Sequence, residues 1–98
     1  MSWRLVIDPA ARDDIAAARD WYDGQRAGLG DEFVDEVNAA VGRFRRQPLV
    51  HQPVVRTLRR AVVRRFPYLV IYRVEADTVT IVAVPLGHRD PAGWQARA

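Results

Sequence analysis

Arg59, Arg60, Arg64 and Arg65, four arginines within seven residues, and His88 beside Arg89 are the groups in this chain whose types and spacing could do chemistry. A guanidinium presents a planar fork of donors that matches a carboxylate or a phosphate, and an imidazole moves a proton near neutral pH. The arginine run could therefore grip an acidic protein segment or a nucleic-acid backbone. Its plainer reading is a solvated edge strand kept from aggregating by charge. His88 has no base partner nearby in the sequence, so its plainer reading is a loop histidine.

Other constellations carry less. Asp13-Asp14 and Asp90 do not make a catalytic carboxylate pair: the first two fall in the early turns of a helix, where negative charge is favourable, and Asp90 follows Arg89. The chain has no cysteine, which excludes a disulfide framework and a thiolate metal site. It also lacks a Gly-rich phosphate loop, a His-rich metal motif and a Ser/His/Asp arrangement, so neither a cofactor nor a metal is expected.

Charge is distributed unevenly. Residues 1–47 hold seven Arg against nine Asp and Glu, whereas residues 48–98 hold eight Arg against three acids, so the second half is the basic one. Lysine is absent altogether, as a GC-rich genome would produce. The 98 residues, about half of them apolar, suffice for one domain with a single core spanning 1–98. The apolar start Trp3–Ile7 is cut off by Asp8 before it could serve as a signal-peptide core, and no later run would span a bilayer, so a cytoplasmic chain with no membrane partner is expected.

These groups must be positioned by elements that the hydrophobic pattern reveals. Trp3–Ile7 reads as a strand, and Asp8-Pro9 as a helix start with Asp at the N-cap and Pro at the first helical position. Ala11, Ile15, Ala18 and Tyr22 then line one face of a helix from Pro9 to about Asp23, stopped by Gly24. Phe33, Val37, Val41 and Phe44 do the same for a helix from about Leu29 to Gln47, ended by Pro48. Its acids lie at its start and its arginines at its end, which complements the helix dipole. Trp21, Tyr22, Phe33 and Phe44 are expected in the core.

After a Pro-marked loop with His51 and Pro53 the period falls to two. Leu58–Arg64, Tyr68–Glu75 and Thr78–Leu86 read as strands, with a tight hairpin at Glu75-Ala76-Asp77-Thr78 and a break at Phe66-Pro67. In strand geometry Arg60 and Arg64 share one face, and Arg59 and Arg65 the other. The expected fold is α+β: an N-terminal strand, an antiparallel helical hairpin packed on a mostly antiparallel sheet in the order β-α-α-β-β-β, and a short C-terminal segment from Pro91. Trp94 in that segment would cover the open end of the sheet or anchor a partner.

This order, with Trp21-Tyr22, the Gly28-Leu29-Gly30-Asp31-Glu32-Phe33 helix opening, the Arg64–Val74 stretch containing Phe66-Pro67-Tyr68, and His88-Arg89-Asp90-Pro91 followed by Trp94, resembles the ParE/RelE toxin superfamily, closer to ParE. The resemblance covers nearly the whole chain. It implies the plasmid-stabilisation toxin of a type II toxin–antitoxin system, held inactive in a hetero-oligomer by a cognate antitoxin laid across the helical hairpin and sheet. ParE-like members poison DNA gyrase; RelE-like members cut messenger RNA on the ribosome. A third possibility is a degenerate member that binds antitoxin without toxicity.

The RelE-like activity would need a base, an acid and phosphate-binding cations on one sheet face. Aligned on Tyr72, the arginine that RelE-like members place on the middle strand falls at Leu69 here. Arg73 is four residues further along, more than ~12 Å at the usual strand rise. If the chain is a nuclease, Arg60, Arg65, His88 and Arg89 are its candidates. If it acts by binding, as ParE-like gyrase inhibition requires, the contact residues are expected among Arg59, Arg60, Arg64, Arg65, Arg73, Arg89 and Trp94.

Overall fold

The computed structural model describes residues 3–88 and 91–97. Strand β1 (Arg4–Ile7) leads through Asp8 into helix α1 (Pro9–Gln25), which α2 (Leu29–Arg45) follows. Strands β2 (Pro53–Val55), β3 (Leu58–Val62), β4 (Leu69–Glu75) and β5 (Thr78–Ala83) come next, and a short helix α3 (Ala92–Gln95) closes the order. The sheet runs β1-β5-β4-β3-β2. β1 lies parallel to β5, and the other pairs are antiparallel. This is the expected α+β arrangement with one added strand.

Close approach of the helices depends on Gly30, where a Cβ would collide with the Arg19 carbonyl oxygen. Its N–H donates to Asp23 Oδ1 at 2.7 Å, and Gly28 takes the left-handed φ of 89° that the turn requires. The helical stripes then pack on one sheet face. Ala11, Ala18, Phe33, Val37, Ala40 and Phe44 are buried there against Val70, Tyr72, Val79 and Ile81. Phe33 meets Phe66 edge to face at 5.4 Å, and Phe44 stacks on Tyr72 at 4.1 Å. Burying side chains of this size stabilises by roughly 2–3 kcal/mol each. On the opposite face Trp94 packs in a smaller cluster with Leu58, Ile71, Val82 and Ala83.

Several boundaries differ from the sequence pattern. Helix α1 continues through Gly24, which its last turn tolerates, so that Arg26 N–H still reaches Tyr22 O. Helix α2 ends at Arg45. Pro53, expected in a loop, begins β2, an edge strand in which a missing N–H is harmless. β3 stops at Val62, and Arg65 turns the chain at φ 71°. Beyond Ala83 the last strand pair continues less regularly, through the Tyr68–Leu86 bridge and the Leu69 N–H and Gly87 N–H bonds to Pro85 O and Pro67 O. Trp21, expected in the core, is instead 60% exposed and leans edge to face on Tyr22.

Tyr72 ties the sheet to the α2–β2 loop. It is fully buried, and its hydroxyl donates to Pro48 O at 2.8 Å. Burial pushes its pKa up to about 12, with Arg59 pulling weakly the other way. A phenol that ionises later when folded contributes stability that is complete below the unfolded value near 10 and is lost as pH rises toward about 12. Urea titrations of the wild type and Tyr72→Phe should therefore converge between pH 9 and 11. We expect Tyr72→Phe to cost about 1 kcal/mol at pH 8. The gap should narrow by up to roughly 1 kcal/mol per pH unit above 10.

Candidate functional site

Strand β5 is covered on its outer side only in part. The β1–β5 ladder ends at Ile7 opposite Ile81, where Asp8 N–H still donates to Ile81 O at 3.0 Å before the chain turns away into α1. From Val82 onward no described strand lies on that side. An open edge presents backbone donors and acceptors that must find partners. Here two side chains supply them. Val84 N–H donates to Asp14 Oδ2 at 2.9 Å, and Arg97 Nη1 donates to Val82 O at 3.2 Å. Arg97 and Asp14 also bind each other through two contacts, at 2.8 and 3.2 Å. That hydrogen bonding raises the Arg97 pKa above its ordinary value.

Beside this edge runs an open groove of about 490 Å³ between α1 and the C-terminal turn. Ala17, Ala18 and Trp21 line it from α1, Tyr68 from just before β4, and Trp94 and Arg97 from the C-terminal turn. Small alanines, an exposed indole and a strand edge held only by side chains suit an extended peptide: the edge offers main-chain pairing and the apolar wall offers side-chain pockets. Trp94 itself is buried, so its contribution is to wall the groove.

The arginines separate into two groups. Arg59 Nη1 donates to the carbonyl oxygens of His51 and, at 3.4 Å, Leu49, which ties down the loop after α2. Arg65 pairs with Glu32 at 2.8 Å and with Glu36 at 3.6 Å, on the helix side of the molecule. The same pairing lowers the Glu32 pKa and raises that of Arg65. Arg73 pairs with Glu75 at 3.0 Å and lies 4.0 Å from Asp8. Arg60 and Arg64 are exposed and make no ion pair among the described residues.

Of the four nuclease candidates, Arg60 lies on the sheet face opposite the helices, across from Ile71, while Arg65 is held against α2. His88 is exposed, following Gly87, whose N–H donates to Pro67 O. Arg89 and Asp90 lie outside the described residues. Leu69 sits opposite Val62, which is 65% exposed, so the place where a phosphate-binding arginine would stand is apolar. No cluster of groups able to hold a metal occurs among the described residues. No described helix is long and apolar enough to cross a membrane.

Asp14 was expected only as a favourable charge in the early turns of α1, and Arg97 was not expected in a site. Asp14 carried a signal: it stands three residues after Ala11 and four before Ala18, a carboxylate beside a buried stripe. Arg97, three residues from Trp94, carried none. Asp14→Ala leaves Val84 N–H without its acceptor and should cost about 1–3 kcal/mol. Arg97→Ala removes a half-exposed pair and should cost about 0.5–1 kcal/mol. Both variants lose the Asp14–Arg97 pair and Asp14→Ala also strips the amide of its acceptor, so equal losses in urea denaturation would show that the amide contributes nothing.

The residues also place the chain among known proteins. A family model described as the ParE toxin of type II toxin-antitoxin system, parDE, matches residues 5–91. Among solved structures, a chain of a chromosomal ParDE TA system from P. aeruginosa superposes with a TM-score of 0.77 at 17% identity, covering 86% of this chain and 95% of that one, which supports the fold. No curated protein matches the sequence at a significant level. With the family model spanning nearly all of its elements, this chain belongs to the ParE toxin family of type II toxin–antitoxin systems.

Proposed function

We propose that this chain is a cytoplasmic toxin that arrests growth by binding DNA gyrase, and that a cognate antitoxin silences it by laying an extended segment along the outer edge of β5. The observation that carries the antitoxin reading is the pairing of that edge with an exposed Trp21 across the groove. A partner strand would replace Arg97 at Val82 O and Asp14 at Val84 N–H, exchanging two side-chain bonds for a main-chain ladder. Freed Arg97 would then be available to an acidic side chain of the antitoxin.

The gyrase reading is favoured over ribosome-dependent messenger RNA cleavage by the groups that do not converge. Phosphodiester cleavage needs proton-transfer groups and cations within reach of one phosphate. Leu69 is apolar where the middle-strand cation would stand, and Arg65 is bound to Glu32 and Glu36. A binding mechanism needs no such convergence.

Purified protein should inhibit supercoiling by DNA gyrase, and His88→Ala should inhibit equally. Cleavage of ribosome-bound message by the wild type, lost in His88→Ala, would instead establish the nuclease reading. Trp21→Ala should weaken antitoxin binding about 10- to 30-fold, as expected for an exposed aromatic anchor, and leave gyrase inhibition intact. Isothermal titration with the product of the adjacent gene measures the first effect. An affinity within twofold of wild type would remove Trp21 from the antitoxin site.

A further inference from the structure

A second surface lies at the other end of the sheet. Trp3 precedes β1 and so sits near the start of β5, whereas the open edge lies at its finish, roughly 20 Å away at the usual strand rise. There Trp3, Arg46, Gln47, Pro48, Leu49 and Val50 line a shallow depression of about 310 Å³. Leu49 is 57% exposed and Val50 60% exposed.

Two adjacent apolar side chains at the surface of a mobile loop would carry little meaning, but this loop is fixed from beneath. Tyr72 donates to Pro48 O, Arg59 donates to His51 O and Leu49 O, and Val50 N–H closes onto Gln47 O. His51 lies edge-on against the stacked pair of Phe44 and Tyr72. Pro48 is itself buried. The buried Tyr72 hydroxyl and the Arg59 guanidinium therefore hold the backbone while Leu49 and Val50 are exposed. Presenting apolar groups on a rigid support lowers the entropy lost on docking.

The charge around this pole indicates what it would meet. Residues 43–59, which run through this pole, contain five arginines and no Asp or Glu. Arg43, Arg45 and Arg46 form the last turn and end of α2, are exposed, and have no ion-pair partner among the described residues. Their helix-dipole role accounts for their position on α2 but leaves their outer donors open. An apolar centre with an arginine rim matches an acidic protein face carrying apolar side chains. A nucleic acid would use the arginines and gain little from Leu49 and Val50.

We infer that this pole, centred on Leu49 and Val50 and flanked by Arg45 and Arg46, is the surface by which the chain docks on its protein target, an acidic face bearing apolar side chains, separate from the antitoxin groove. The inference rests on the proposed binding mechanism and adds where the target sits. It also means that target and antitoxin occupy different ends of the molecule, so that antitoxin silences the toxin by bulk or by altered presentation and not by covering the same contacts.

The test uses the full chain as wild type, as Leu49→Glu/Val50→Glu and as Arg45→Glu/Arg46→Glu. All four substituted side chains are solvent-facing, and circular dichroism melts check that each variant folds. Biolayer interferometry against immobilised DNA gyrase should show affinity falling about 30-fold or more in both variants, with antitoxin affinity within threefold of wild type. Unchanged gyrase affinity in Leu49→Glu/Val50→Glu overturns the inference, as does an equal loss of antitoxin affinity. Binding to a single-stranded RNA 20-mer that is lost in the arginine variant and kept in the Leu49/Val50 variant overturns it in favour of a nucleic-acid surface. If the wild type does not bind gyrase, the gyrase reading fails and growth arrest on induction becomes the readout. Arrest abolished in both variants then supports the pole against another protein target, arrest retained overturns it, and a wild type that arrests nothing overturns both.

Discussion

A strand that outruns its neighbour has to find other partners for its backbone, and in this molecule β5 does so. β1 can cover it only to Ile81, because Asp8-Pro9 takes the chain out of the sheet and into α1. That exit places Asp14 one and a half helical turns later beside Val84, and it leaves room for the C-terminal turn to bring Arg97 to Val82. The groove, the position of Trp21 above it and the seating of Trp94 on the other sheet face all follow from where β1 stops. An edge held by two side chains is satisfied but exchangeable, which is the condition for a partner strand to replace them.

The arginines show why a count of basic residues misleads. Nine occur between residues 37 and 74, yet Arg59 serves loop carbonyls, Arg65 bridges the β3–β4 turn to α2, and Arg73 pairs within and beside its strand. Exposed pairs of this type contribute little individually to stability. Their consequence is positional: they keep Arg65 away from the face that carries Arg60, and they fix the loop that presents Leu49 and Val50. What remains for a partner is a smaller set, spread over the α2 terminus and the outer sheet face.

Much of the fold was legible because it rests on period. Ala11, Ala18, Phe33, Val37 and Phe44 declared both helical faces, and Glu75–Thr78 declared its hairpin. β2 was hidden because Pro53 argues against a strand until its edge position is known. Trp21 was misplaced in the core because it adjoins Tyr22, although it lies about 100° around the helix from it. The site was less legible than the fold. Its central contacts, Asp14 with Val84 and Arg97, join residues 70 and 83 positions apart, and no local spacing encodes such a meeting.

Membership of the ParE family rests on the sequence match, whereas the proposed neutralisation rests on the edge of β5 being the place where the antitoxin binds. Amide hydrogen exchange of the chain, alone and saturated with its antitoxin, addresses that most directly. The account predicts new protection concentrated in Val82–Leu86 and in the Ala17–Trp21 turn of α1, with the Leu49–His51 loop unchanged. Protection confined to the Leu49–His51 loop, with the β5 edge exchanging as in the free protein, would contradict it.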